Sequence, residues 1–278
     1  MATGRSIDHI VVAVRDLDAA AKVYEELGFT LTPRAMHEDR MGTSNRLAQF
    51  AGKNFIEILE VDRPDTLVPH DPSKTPPFFS FGGHNKERIA EREGMSMLVF
   101  ASGDARADAA RFQAASVPTY EVFDFDRQAR LPGGEQVTVS FSLTFATSPD
   151  MPDLAFFVCQ NRAQEYFWKP EFQKHKNAAR VITAVYIASS NPERDSAFVS
   201  KMFGGAVSAI TGGFSVACGA GQEVRVVTPE SALEHDPSLQ IDLSSGPAFV
   251  GIALASGETR ETTPATAACG LFIEWIAV

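Results

Sequence analysis

The stretch Ile7-Asp8-His9-Ile10-Val11-Val12-Ala13-Val14-Arg15-Asp16-Leu17 decides the fold. Residues 8–14 are β-rich and almost wholly apolar, which predicts a short strand buried on both faces. Asp16 stands where a helix N-cap belongs, residues 17–27 carry helical spacing, and Gly28 closes the helix as a C′ residue. Three strand-like runs follow, over 29–36, 45–51 and 55–61, with Gly42 and Gly52-Lys53-Asn54 supplying the turns. The unit reads β-α-β-β-β.

Working outward, the same order returns. Residues 95–101 form a strand, Asp104 opens an Ala-rich helix to Ala115, and strands follow over 119–125, 136–145 and 154–159. A third copy starts at 181–188, continues in a helix from Asn191-Pro192 to about Phe203-Gly204-Gly205, and ends in shortened form with 214–217 and 223–227. A fourth start at 249–255 lacks the helix and passes through Gly257-Glu258-Thr259-Arg260 to a last strand over 271–277. The closing strand Phe55-Ile56-Glu57-Ile58 of the first copy recurs as Phe272-Ile273-Glu274-Trp275 in the last, which points to duplication. The expected class is α+β, with tandem βαβββ modules pairing into curved mixed sheets. The division is 1–160 for the first pair of modules, 161–180 for a connector, and 181–278 for a shortened second pair.

Two connectors stand out. Residues 62–93 carry Pro64, Pro69, Pro72, Pro76 and Pro77, which deny regular structure, although 86–93 suits a short helix. Residues 161–180 carry Tyr166, Phe167, Trp168 and Phe172 beside several basic residues. A solvated linker would not hold so many rings, so part of it packs on the sheet exterior or over the mouth of a cavity.

Composition excludes several classes of function. A formal net charge of −10 with scattered basic residues speaks against nucleic acid. No apolar run approaches the length of a membrane span, and residues 1–6 lack a secretory pattern. Cys159, Cys218 and Cys269 lie far apart with no CxxC pair, as expected of buried free thiols in a reducing cytoplasm. No phosphate loop, GxSxG elbow or HExxH motif is present. A small molecule is the expected partner, neither nucleic acid nor membrane is, and a homodimer is compatible with the composition.

The opening stretch resembles the start of vicinal oxygen chelate modules, the superfamily of glyoxalases, bleomycin-resistance proteins and extradiol dioxygenases. Gly42-Thr43-Ser44-Asn45-Arg46-Leu47, Asn54-Phe55-Ile56-Glu57-Ile58-Leu59 and 92–99 narrow the resemblance to its glyoxalase-like domain family, as does Phe156-Phe157-Val158-Cys159-Gln160 running on to Phe167-Trp168. The resemblance implies paired modules curled into a cup that holds a divalent metal, with ligands from first and last strands. It places His9 and Glu57 as metal ligands, and Glu274 as a third if the first and fourth copies share a cup. A substrate with vicinal oxygens would complete the coordination. Aligned by pattern, His9 becomes Ser96, Ala184 and about Val250 in the later copies, and Glu57 becomes Phe157, Arg225 and Glu274. Only the first copy keeps both. Where the family motif reads Cys-Gln-Gln-His, this chain has Cys159-Gln160-Asn161-Arg162, with a permanent cation in place of the His.

Each candidate also has a plainer reading. His9 also suits a hydrogen-bonded core histidine. Glu57 is costly on an inner face unless paired, protonated or metal-bound, and alternation would otherwise turn it to solvent. Asn45 either lines the cup or caps a turn, and Gln160 and Arg162 either orient a substrate or form surface contacts. Trp168 either covers the pocket or packs on the core, and His37, beside Glu38, Asp39 and Arg40, reads as a loop residue. The expected function is a metal-dependent lyase, isomerase or dioxygenase of glyoxalase type. The alternatives are a non-catalytic sequestering protein of bleomycin-resistance type, and metal-free catalysis with Glu57 as general base.

Overall fold

The computed structural model describes residues 4–130, 134–258 and 260–278. The first module runs β1 (Ile7–Ala13), α1 (Leu17–Glu26), β2 (Ala35–Met36), β3 (Ser44–Gln49) and β4 (Phe55–Glu60). After α2 (Phe81–Glu91), the second runs β5 (Gly94–Ala101), α3 (Ala105–Ala114), β6 (Phe123–Arg130), β7 (Gln136–Ser148) and β8 (Met151–Asn161). A one-turn α4 (Gln164–Phe167) leads to the third: β9 (Ala179–Ala188), α5 (Pro192–Phe203), β10 (Val207–Ile210), β11 (Gly213–Ala217) and β12 (Glu223–Val227). Finally come α6 (Pro229–His235), β13 (Ala248–Ser256) and β14 (Phe272–Ala277), with no α-helix among the described residues between these two strands. Thr259, on the predicted path between them, lies outside the described residues.

The strands form an eight-stranded sheet ordered β2-β3-β4-β1-β5-β8-β7-β6 and a six-stranded sheet ordered β10-β11-β12-β9-β13-β14. Modules one and two share the first sheet, and modules three and four share the second. Each sheet joins its two modules through a central antiparallel pair, β1 with β5 and β9 with β13. Within each module, the first strand runs parallel to the last.

Alternation along the strands separates two kinds of interior. Ile10 and Val12 of β1, Leu98 and Phe100 of β5, Val185 and Ile187 of β9 and Ile252 and Leu254 of β13 all join one core with α1, α3 and α5. The two sheets therefore lie back to back, sharing the core on their convex faces. The opposite residues, such as Val11, Val99 and Phe157, form a separate cluster inside the first cup. Ala184, Tyr186 and Phe272 do the same in the second.

Three details depart from the sequence-based expectation. The run over 29–36 pairs as strand only at Ala35 and Met36. Pro33 has no N–H, and the Thr32 side chain takes the Leu47 N–H in place of a backbone carbonyl (2.9 Å). The helix expected over 86–93 begins earlier, at Phe81, capped by the Ser80 hydroxyl on the Gly83 N–H (2.9 Å). Gly82 and Gly83 argue against helix locally, but a Cβ on Gly82 would lie 2.0 Å from the Met41 carbonyl oxygen, so tertiary packing demands glycine there. The β6 strand also starts later than the expected 119–125 run. No described helix is long and apolar enough to cross a membrane.

Candidate active site in the first cup

Register explains why the pattern-based alignment of the copies slips. The β1–β5 ladder shifts between Ile7 and His9 and again across Ser96, and the β9–β13 ladder shifts across Thr183 and Val250. Each shift is a β-bulge, an extra residue that moves everything beyond it by one. With β1 against β4, His9 stands opposite Phe55 and Val11 opposite Glu57. The matching ladders put Met97 opposite Ala155, two residues before the Val99–Phe157 pair, and Gly251 opposite Phe272. The counterparts of His9 are therefore Met97 and Gly251, whereas Ser96 and Val250 are the bulge residues. Ala184 keeps its place, opposite Glu223.

The bulge at Asp8 has a local effect: Asp8 and His9, adjacent in sequence, both line the same cavity. An ionised carboxylate only accepts, so His9 Nδ1 donates to Asp8 Oδ1 at 2.6 Å. His9 also stacks on Phe55, with ring centroids 4.3 Å apart. Held on two sides, the imidazole presents Nε2 to Glu57 Oε2 at 3.6 Å.

Glu57 is 5% exposed. Asn45 Nδ2 donates to its Oε1 at 2.5 Å and also sits 3.1 Å from His37 Nε2. An amide nitrogen only donates, so His37 Nε2 accepts and His37 Nδ1 is the donor to the Thr43 hydroxyl, 2.8 Å away. His37 Nε2 stands 3.5 Å from Glu57 Oε1. Glu57 Oε1 is thus fixed by Asn45, and Oε2 faces His9 without accepting a hydrogen bond from the described residues. The pairing of Ala35 with Asn45 carries His37 in from the two-residue β2. No local signal in the sequence announces this, because it depends on where β2 docks.

Around this cluster lies a cavity of about 280 Å³ walled chiefly by Phe55, Phe81, Phe125, Phe141, Phe157 and Phe167. Trp168 lines it too, with Lys53 Nζ 5.1 Å from its ring centroid. The aromatic connector is pinned here by one buried side chain. Gln49 donates to the Phe167 carbonyl (2.9 Å) and accepts from the Lys169 N–H (3.1 Å). From the other side, the proline-rich connector and α2 bring Phe78, Phe79 and Phe81 onto the cup. Cys159 also lines the cavity, but burial pushes its thiol well up and the carboxylates of Asp8 and Glu57 add to this, so it stays protonated.

Of the residues singled out in the sequence, His9, Asn45, Glu57 and Trp168 come together, and the others do not. Gln160 holds the start of α3, donating to the Gly103 carbonyl (2.8 Å) and accepting from the Ala105 N–H (3.2 Å). Arg162 donates to the Ser142 hydroxyl and lies 3.8 Å from Asp124. Glu274 belongs to the other sheet, where it accepts from the Tyr186 hydroxyl and stands 3.7 Å from Arg225 and 3.9 Å from His235. The back-to-back arrangement keeps it from joining His9 and Glu57. Burial and Glu274 together raise the Tyr186 phenol above its ordinary range.

The sequence of residues 7–203 matches the family model described as "Glyoxalase-like domain". The chain belongs to that family. It is thereby a member of the vicinal oxygen chelate superfamily, and its tandem modules and curled mixed sheets are that superfamily's fold. Solved structures extend the likeness beyond the family match. A hypothetical protein from Staphylococcus aureus is similar over 98% of this chain and 99% of its own, at 14% identity and a TM-score of 0.71. A mutant of 4-hydroxymandelate synthase from Streptomyces coelicolor is similar over 92% of this chain and 72% of its own, at 11% identity and a TM-score of 0.52. A variant of methylmalonyl-CoA epimerase from Streptomyces coelicolor, in complex with 2-nitronate-propionyl-CoA, aligns over 57% of this chain and 98% of its own, with 21% identity and a TM-score of 0.38. No curated protein matches.

Members of the superfamily generally use a divalent metal. In this member, no group of three or more His, Cys, Asp or Glu among the described residues is placed to hold one. The reason is visible around Glu57. The Asn45 amide occupies the space between Oε1 and His37 Nε2 where a shared cation would sit, leaving only His9 Nε2 and Glu57 Oε2 as a pair. The second module offers Met97 and Phe157 at the corresponding positions. Two donors fall short of a stable site, so the residues present do not fit the metal.

Proposed function

We propose that the first cup is the active site of an enzyme that moves a proton on a small molecule carrying adjacent oxygens, with Glu57 as the base. This is isomerase-type chemistry within the glyoxalase-like family. One observation carries the reading: a buried carboxylate has one oxygen clamped by Asn45 and leaves the other directed at the His9 imidazole, in a cavity whose lining is rich in aromatic rings.

The chemistry follows from that arrangement. A C–H bond next to a carbonyl breaks, the proton passes to Glu57 Oε2, and the electron pair moves into the carbonyl to give an enolate. Glu57 then returns a proton, in a fraction of turnovers after exchange with solvent, to the same carbon or, once the hydroxyl proton has crossed between the oxygens, to the neighbouring carbon. Clamping Oε1 prevents the carboxylate from rotating, so Oε2 meets the substrate in one orientation. His9 gives its Nδ1 hydrogen to Asp8, which leaves Nε2 as an acceptor for a substrate hydroxyl beside Glu57. The apolar walls exclude water that would otherwise solvate both charges.

The test is deuterium exchange. The protein is incubated in D2O with 2-hydroxyacetophenone and related 2-hydroxyketones, and exchange at the carbon bearing the hydroxyl is followed by NMR. Glu57→Gln keeps the shape and the clamp and should lower exchange by about 10²–10⁴-fold while binding persists. The purified protein should carry no stoichiometric metal. Exchange that survives Glu57→Gln, or exchange that requires a copurifying metal, would refute the proposal.

A second reading, sequestration without turnover, is favoured by the apolar Met97 and Phe157 that the second module contributes. It predicts ligand-induced stabilisation with no exchange on any compound that binds.

A further inference from the structure

A second chamber adjoins the first cup. It measures about 270 Å³, and Leu47, Phe141 and Phe167 line both spaces. Phe167 projects from the one-turn α4, half-buried, with its backbone held by Gln49. The Phe167 ring, packed beside Phe55, Phe141 and Trp168, is thus a wall common to both spaces.

The outer chamber differs from the inner one in charge. Its lining contains Arg34 and Lys169 and no carboxylate, whereas the inner cup is lined by Asp8 and Glu57 with Lys53 as its one Lys or Arg among the described residues. Arg34 is already neutralised by Glu60 and Asp62. Lys169 has no acidic group within ion-pair distance among the described residues, and the Gln49 amide fixes its backbone. Tyr166 and Phe172 line the same chamber and add apolar surface to it.

We infer that the outer chamber is a binding subsite for the anionic end of an elongated, mainly apolar ligand whose other end occupies the first cup. This rests on the reading of the first cup as a small-molecule site and adds the class of molecule it takes. An apolar chain crosses the wall at Phe167, and a carboxylate or phosphate at its far end meets Lys169. Compact ligands would fill the cup alone and leave the ammonium unused.

Calorimetric titration of the full chain with hexanoate, decanoate and 1-decanol tests this. Each methylene buried in the outer chamber should add about threefold to fourfold in affinity. Decanoate should therefore bind at least tenfold tighter than hexanoate. Lys169→Glu should weaken decanoate by about tenfold and leave 1-decanol within twofold, and Lys169→Gln should fall between. Equal affinity for hexanoate and decanoate would overturn the inference, as would decanoate binding that neither Lys169 variant changes, or no binding of any of the three. The two proposals fail separately. Exchange that survives Glu57→Gln refutes the base while length- and Lys169-dependent binding still upholds the subsite.

Discussion

The protein should lose stability in mild acid chiefly through one imidazole, that of His84. His84 lies on α2, 5% exposed, with Nε2 3.3 Å from the Ser96 carbonyl oxygen and its ring 5.6 Å from that of Phe79. Burial is the main reason its pKa falls to about 4, with Arg88 and His70 adding like-charge repulsion and the Ser96 carbonyl opposing it. An unfolded imidazole titrates near 6.5. Between these values, the unfolded chain binds a proton that the folded one does not. The stabilisation is therefore complete above about pH 6.5, declines as pH falls, and is exhausted below about pH 4. A gap of about 2.5 pH units is worth about 3 kcal/mol. His70, whose imidazole is also lowered by burial, adds a smaller contribution of the same sign. Urea unfolding at pH 7 and pH 4 should show the wild type losing about 3 kcal/mol more than His84→Gln, which keeps a donor for Ser96 and cannot titrate. Because α2 closes one side of the first cup, ligand affinity should fall over the same range. Equal losses in the two proteins, or a His84 NMR titration near pH 6.5, would refute the reasoning.

Other perturbations have similarly defined outcomes. Gly82→Ala forces a methyl into the Met41 carbonyl and should cost about 2–3 kcal/mol in chemical denaturation, where an exposed helical Gly→Ala would stabilise. Phe100→Ala removes a ring stacked 3.6 Å from Phe203 of the other half and should cost about 3–5 kcal/mol, with both halves still melting in one transition. Gln49→Leu releases both backbone bonds to the aromatic connector, so limited proteolysis should cut near residue 168 much faster than in the wild type, and ligand affinity should drop.

Much of the architecture was legible because the first strands are short apolar runs followed at once by capped helices. Asp16, Asp104 and Asn191 each place a side-chain oxygen on the backbone of the helix they precede. The site was legible in part for a related reason: Glu57 is a charge in an otherwise apolar strand, and such a charge needs partners. The partners themselves were harder to read. Asn45 is visible as a polar residue on β3, but its two donations depend on β2 and β4 lying on either side. His37 reads as a loop residue because Glu38, Asp39 and Arg40 follow it, and only the Ala35–Asn45 pairing carries it inward. Glu274 matched Glu57 in sequence yet belongs to a cup facing the other way. The bulges at Ser96 and Val250 were invisible for a simple reason: an extra residue leaves hydrophobic composition unchanged while it shifts which side chains share a face.

The back-to-back packing makes the two cups mechanically dependent and chemically free. Substitutions on the convex faces are felt by both halves, since Phe100, Phe156, Phe203 and Phe249 meet in one core. The concave faces carry their own clusters, separate from that shared core. After a duplication, such a molecule can abandon the chemistry of one copy without losing its contribution to the fold. In the second cup Glu274 is answered by Arg225 and Tyr186, while the first keeps a carboxylate with an oxygen to spare.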